Sequence, residues 1–165
     1  MRLNIHAFKW LLVVIISIFL CSCGSDSIGQ SEFYVRFNAN GTAITFNVQG
    51  ATVGSFAQAG AQFNAVFSGY DANTNINLQV YDGKAIEETI YSGYQSINGA
   101  LVGALVSYND GQNSYTQGGV NSDAIITIDD ISATTVKGRF SCTVKSNGQS
   151  DINLTDGEFY VSRVN

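Results

Sequence analysis

The side chains of this 165-residue chain best suited to binding chemistry are its eight tyrosines. Four of them, Tyr91, Tyr94, Tyr108 and Tyr115, fall in one third of the chain beside Asn109, Asp110, Gln112 and Asn113. Aromatic faces next to amides and carboxylates suit sugar recognition, because a ring stacks on the apolar face of a pyranose while amides take its hydroxyls. These four tyrosines are the candidate ligand-binding residues.

Residues for catalysis are scarce. The only histidine is His6, in a leader expected to be removed, so neither Ser-His-Asp nor Cys-His machinery can be assembled in what remains. A zinc site of His and Cys fails on the same count. Glu87-Glu88 and Asp129-Asp130 are adjacent in sequence, and on a strand adjacent side chains point to opposite faces, so neither is a glycosidase pair by itself. Asp71-Ala-Asn-Thr-Asn75 opens like a calcium loop but lacks the glycine and the twelfth-position glutamate, where the residue is Asp82; it reads as a turn. No metal, no cofactor and no enzymatic activity are expected.

The leader itself is residues 1 to 22. A short basic head (Arg2, Lys9) precedes the apolar run Trp10 to Leu20, eleven residues against the roughly twenty that a spanning helix needs. Leu20-Cys21-Ser22-Cys23 resembles the bacterial lipoprotein signal, in which the chain is cut before a cysteine acylated through sulfur. Cys23 is that cysteine, and the membrane is then a partner through its lipid. Residues 23 to 31 form a polar tether spanning about 16 Å. Gly24, rather than Asp, points by resemblance to outer-membrane sorting. Asp26-Ser27-Ile28 resembles the O-glycosylation acceptor of Bacteroidota envelope proteins.

Cleavage changes the charge balance. Loss of Arg2 and Lys9 leaves six basic residues against 13 acidic ones, a net charge of −7 over residues 23 to 165. Phosphate affinity needs clustered Lys and Arg, so nucleic acid is excluded as a partner. Cys142 is left without an intramolecular disulfide partner once Cys23 carries lipid, and the domain must draw its stability from its core.

Residues 32 to 165 read as one all-β domain. Six Asn-Gly or Asp-Gly dipeptides, at 40–41, 82–83, 98–99, 110–111, 147–148 and 156–157, punctuate segments of period-2 alternation. Phe33, Val35 and Phe37 share one face; so do Ile44, Phe46 and Val48. The expected architecture is an antiparallel β-sandwich or barrel of about nine strands with hairpin connections. Gly50 to Gly60 reads as a long loop, and Lys84 to Ile90 as a helical turn or short strand. In Val136, Gly138, Phe140, Cys142 and Val144 the even positions are apolar, which turns Cys142 inward and Lys137 and Arg139 outward. On the next strand the apolar parity switches between Leu154 and Phe159, predicting a β-bulge at Asp156-Gly157 with Gly157 left-handed.

Val136 to Val144, followed by Asp151-Ile-Asn-Leu-Thr-Asp-Gly-Glu-Phe-Tyr-Val161, resembles the closing signature of a family of Bacteroidota envelope lipoproteins: a Gly-x-Phe strand, then a terminal Gly-x-Phe-x-Val strand. Gly93-Tyr94, Tyr108, Tyr115 and Ile125-Ile-Thr-Ile128 occur in that family's order. The resemblance covers residues 85 to 162 and implies an all-β envelope domain without lending it an activity.

The sequence thus describes a lipid-anchored outer-membrane protein, on the periplasmic or the outer side, acting as a non-catalytic binding or accessory module for a glycan or an envelope protein. A calycin-like carrier of a small hydrophobic ligand is the alternative, and an enzyme the third reading. A carrier requires an apolar cavity where Phe37, Phe46, Phe67 and Phe140 would otherwise fill the centre.

Overall fold

A computed structural model describes residues 30–117 and 121–164, and among them there is strand, turn and bend but no helix. The leader, Cys23 and Ser27 lie outside the described residues. Twelve strands follow in order: β1 (Gln30–Ala39), β2 (Thr42–Val48), β3 (Thr52–Ala59), β4 (Gln62–Tyr70), β5 (Asn75–Asp82), β6 (Ile90–Ser92), β7 (Tyr94–Ile97), β8 (Ala100–Asn109), β9 (Ser114–Gln117), β10 (Ile125–Ile131), β11 (Thr135–Val144) and β12 (Ile152–Val164). The fold is all-β and almost wholly antiparallel. Its excess over nine strands comes from short pieces such as β6, β7 and β9 and from β3. The first strand takes in Gln30 and Ser31, the last two residues of the expected tether.

All twelve strands belong to one sheet that curls back on itself. Along it run β10, β11, β12, β3, β4, β5 and β8 as successive neighbours. Strand β8 then reaches the start of the path twice. Its first half pairs with β7, whose predecessor β6 pairs with β10, and its second half pairs with β9. From β9, Thr116 bridges to Lys145 just beyond β11 through reciprocal backbone hydrogen bonds of 2.8 and 3.0 Å. The result is a barrel-like closure that leaves few free edges.

Strand β12 is the organising element because it is thirteen residues long. One side pairs with β11 along its length; the other pairs first with β1 (Ala39 opposite Leu154 through Tyr34 opposite Tyr160) and then, in parallel, with β3 at Ser162 to Val164. The β1–β2 hairpin packs its buried side chains against the inner face of β4 near Gly69. Gly69 makes that contact possible, since a Cβ there would come within 2.8 Å of the Phe46 ring and 2.9 Å of Val35.

Turn chemistry explains the hairpins. Asn40-Gly41 joins β1 to β2 and Asn98-Gly99 joins β7 to β8, each with both residues at positive φ (48° and 85°, 50° and 84°), the type I′ geometry that matches strand twist. The segment read as a loop, Gly50 to Gly60, is instead strand β3, turning into β4 at Gly60 with φ 61°. Its small residues hid the alternation, but Gly54 is where Val161 and Phe67 press closest, so the lack of a side chain is a packing requirement. Residues 83–89 form no helix; the chain bends through them and enters β6 at Ile90.

The bulge is present, with its left-handed residue one place earlier than expected. Between Phe140/Gly157 and Cys142/Leu154 the ladder advances two residues on β11 and three on β12. Asp156 carries the positive φ, 53°, whereas Gly157 does not. Aspartate tolerates this region because its short carboxylate finds local partners: Asp156 Oδ2 accepts from Asn38 Nδ2 at 2.9 Å and Thr155 Oγ1 at 3.2 Å. Gly157 is required for space, because a Cβ would meet the Phe140 ring at 2.7 Å.

The interior is filled by rings. Phe37, Phe46, Phe67 and Phe140 are all buried, and Phe37 meets Tyr108 edge-on at 5.5 Å and Phe140 at 5.7 Å. Phe67 stacks on Phe159 at 4.7 Å.

Candidate functional site

The four tyrosines singled out by sequence do not form one exposed platform. Tyr91, Tyr108 and Tyr115 are core residues, only 4–5% exposed. Tyr108 and Tyr115 stack on each other at 6.3 Å, and Tyr91 spends its hydroxyl on the Glu87 backbone, accepting from its N–H at 3.0 Å and donating to its carbonyl at 3.3 Å. Tyr94 is half-buried against Tyr81 on the other side of β8. Clustering in sequence did not become clustering on a surface because alternate β positions face inward.

The acidic residues are also accounted for. Asp71 Oδ1 accepts the N–H groups of Asn73 and Thr74 at 2.9 and 2.8 Å, and these bonds hold its carboxyl below the ordinary range, as a turn residue's would be. Asp110 does the same with Gln112 and Asn113. Glu87 pairs with Lys84 at 2.6 Å, and Glu88 accepts the Ile131 N–H at 3.0 Å. Among the described residues no group of three His, Cys, Asp or Glu is placed to hold a metal. Cys142 is buried as expected, and burial pushes its thiol up to about 12, so it stays protonated and unreactive.

A polar face emerges where β1, β12, β11 and β10 lie side by side. Alternation turns Val35, Phe37, Phe159, Val136 and Phe140 into the core, so Tyr34, Arg36, Glu158, Tyr160, Lys137 and Arg139 must point out. Register then sets Arg36, Glu158 and Arg139 in one cross-strand row, and Tyr34, Tyr160 and Lys137 in the next.

Both arginines are fixed by carboxylates. Arg36 donates to Glu158 Oε2 from Nε at 3.0 Å and Nη2 at 2.5 Å. Arg139 grips Asp129 in a bidentate pair, Nε to Oδ2 at 3.0 Å and Nη2 to Oδ1 at 2.9 Å. The hydrogen bonds from Arg139 hold the Asp129 carboxyl below its usual value. Arg36 also lies over the Tyr34 ring, 4.8 Å from its centroid, and Tyr160 meets Tyr34 at 6.3 Å and Phe33 at 5.2 Å.

Two open depressions meet at the Arg139–Glu158 pair. One, of about 400 Å³, is lined by Tyr34, Arg36, Asp129 and Lys137; the other, of about 550 Å³, runs past Ile125, Ser141 and Thr155. From residue 137 to 141 this groove follows β11 for about 13 Å, at ~3.3 Å per residue. It offers the half-buried Tyr34 ring, orientated guanidinium donors and carboxylate acceptors, the groups that recognise a hydroxyl-rich ligand.

Sequence reading placed Lys137 and Arg139 on an outer face but could not find this site. Tyr34 and Arg36 are more than a hundred residues from Glu158 and Tyr160, and only the β1–β12 pairing joins them.

Comparison with known protein families, with characterised proteins and with solved structures finds no match in any of the three.

Proposed function

We propose that this chain is a lipid-anchored protein of the bacterial outer membrane that binds a glycan, without catalysis, on the outer face of β1, β12, β11 and β10. The observation that carries this reading is the row Arg36–Glu158–Arg139 beside Tyr34 and Tyr160, a pre-ordered set of donors, acceptors and ring faces on rigid strands. The four tyrosines at 91, 94, 108 and 115 serve the packing of the domain in this reading. The ring-filled interior favours a surface ligand over the enclosed ligand of a calycin-like carrier. A protein partner on the same face is the second reading, favoured by the mix of Arg and Tyr that anchors many interfaces. The anchor is Cys23, and the resemblance to Bacteroidota lipoproteins supports it.

The test is a melting curve of the detergent-solubilised full chain with a panel of polysaccharides, since a ligand that binds the native state raises stability by RT ln(1 + [L]/Kd). A shift abolished by Tyr160→Ala and by Arg139→Ala supports the reading. A shift that survives both moves the site elsewhere, and a flat panel refutes glycan binding. Cys23→Ala is expected to release the chain from the membrane fraction; unchanged partitioning refutes the anchor.

A further inference from the structure

The polar face carries a charge arrangement that adjacency in sequence conceals. Neighbouring residues on a regular strand point to opposite faces, but the β10–β11 ladder advances two residues on β10, from Ile128 to Asp130, against one on β11, from Gly138 to Lys137. This bulge leaves Asp129 and Asp130 both on the outer side. Asp129 reaches Arg139, and Asp130 is the register partner of the outward Lys137. Across the two depressions the charged lining is Arg36, Lys137 and Arg139 against Asp129, Asp156 and Glu158, three of each sign, and Asp130 adds a further carboxylate beside them. The charge of Lys137 also helps Arg139 to hold the Asp129 carboxyl low.

These ion pairs keep hydrogen-bonding capacity in reserve. Arg36 and Arg139 each spend Nε and Nη2 on a carboxylate, which leaves the N–H groups of Nη1 on both. Glu158 takes both bonds from Arg36 on Oε2, so its Oε1 remains as an acceptor. A donor and an acceptor held side by side on one ion pair match neighbouring sugar hydroxyls, each of which both gives and takes hydrogen bonds. An ionised carboxylate or sulfate only accepts. It could use the Nη1 donors, but it would face Glu158 Oε1 and the acids alongside with no proton to offer and a like charge.

We infer that the ligand of this face is a neutral glycan, read through its hydroxyls by the Arg36–Glu158 and Arg139–Asp129 pairs, and that acidic polysaccharides are rejected. The inference rests on the glycan reading above and narrows it to one chemical class. Electrostatics at two ranges agree on it. Close in, each of the three cations has a carboxylate set against it: Glu158 for Arg36, Asp129 for Arg139 and Asp130 for Lys137. An anionic sugar must displace one of those carboxylates or stand beside it. Farther out, the chain carries 13 acidic residues against eight basic ones, so its field opposes the approach of a polyanion. Hydroxyl recognition by fixed ion pairs needs neither a surplus of positive charge nor long-range steering.

The test is the melting temperature of the detergent-solubilised full chain with polygalacturonate, alginate and hyaluronan, each beside the same polymer with its carboxylates reduced to primary alcohols, and with neutral glucans and mannans. Reduction removes the charge and leaves the ring hydroxyls in place. A neutral polymer is expected to raise the melting temperature equally at low and high salt, at concentrations at least tenfold below those at which any acidic form does. Glu158→Gln and Asp129→Asn each leave one arginine without its carboxylate, at side chains 43% and 32% exposed, and the melting temperature without polymer reports their folding. Both are expected to weaken the neutral polymer at least tenfold and to admit an acidic one at low salt. Acidic forms that act on the unaltered chain as strongly as their reduced counterparts overturn the neutral class and leave the glycan reading standing, whereas a panel flat throughout overturns both. A neutral shift that survives both variants, or variants that gain no acidic ligand, overturns the assignment to these ion pairs.

Discussion

Phe67 of β4 and Phe159 of β12 lie nearly parallel, 14° apart with centroids 4.7 Å from each other, and both are fully buried. They come from strands that are never hydrogen-bonded neighbours, since β3 lies between them. Their stack therefore ties two next-nearest strands together across β3 on the inner face of the curled sheet.

Phe67→Ala and Phe159→Ala are each expected to cost about 3–5 kcal/mol, the usual range for emptying a buried ring position. Because the two rings share one contact, the double variant should cost less than the sum of the singles. Chemical denaturation of the four proteins in a double-mutant cycle measures the coupling, and strict additivity would contradict the stack.

Gly138→Ala should destabilise by about 1–3 kcal/mol or more, although alanine is otherwise harmless in a strand. Gly138 is held between the Thr127 carbonyl and the Phe159 ring, and a Cβ has no room between them. Gly148→Ala, at a turn with open space around it, should lose only what its φ of 75° demands. Equal losses at the two positions would refute the packing account.

At the bulge, Asp156→Val should cost about 1–2 kcal/mol, because a β-branched residue resists a φ of 53° and cannot accept the Asn38 hydrogen bond. Asp156→Asn, which tolerates the same backbone region, should lose much less. Thermal melts of the two variants against the parent decide it.

Cys142 links stability to alkaline pH. Burial raises its thiol from the ordinary 9.0 to about 12, so the folded state keeps the proton that the unfolded state gives up first. This contribution is complete below pH 9 and is lost as pH climbs toward 12. Cys142→Ala should flatten the stability profile over that window, and the parent thiol should resist alkylation at pH 8 until the chain is unfolded. Rapid labelling of the native protein would contradict its burial.

The Arg139–Asp129 pair works in the opposite direction. Its carboxyl is held low, so its contribution is present at neutral pH and disappears as pH falls through and below the ordinary carboxylate range. Asp129→Asn should therefore differ from the parent at pH 7 and converge with it in acid. The difference should be small, because the arginine side chain is 65% exposed.

Much of this fold is legible in local sequence. Alternation in Val136 to Val144 places Cys142 inside and Arg139 outside, as found, because a strand's period of two needs no tertiary information. The Asn-Gly pairs at 40–41 and 98–99 mark their hairpins because few other residues accept two positive φ angles. Strand β3 escaped, since its small residues carry little alternation, and Gly54 within it lies against Val161 and Phe67. The bulge was locatable from a parity switch, but the structure puts the left-handed backbone at Asp156, whose carboxylate meets Asn38 and Thr155, and keeps Gly157 for space beside the Phe140 ring. The tyrosines at 91, 108 and 115 look the same in sequence whether they face a ligand or the core; closure of the sheet turned them inward. Of the polar face only the outward turn of Lys137 and Arg139 was legible; its assembly was not, because Arg36 meets Glu158 through a strand pairing that spans 122 residues of chain, and that register is chosen by which side of each strand must bury its rings.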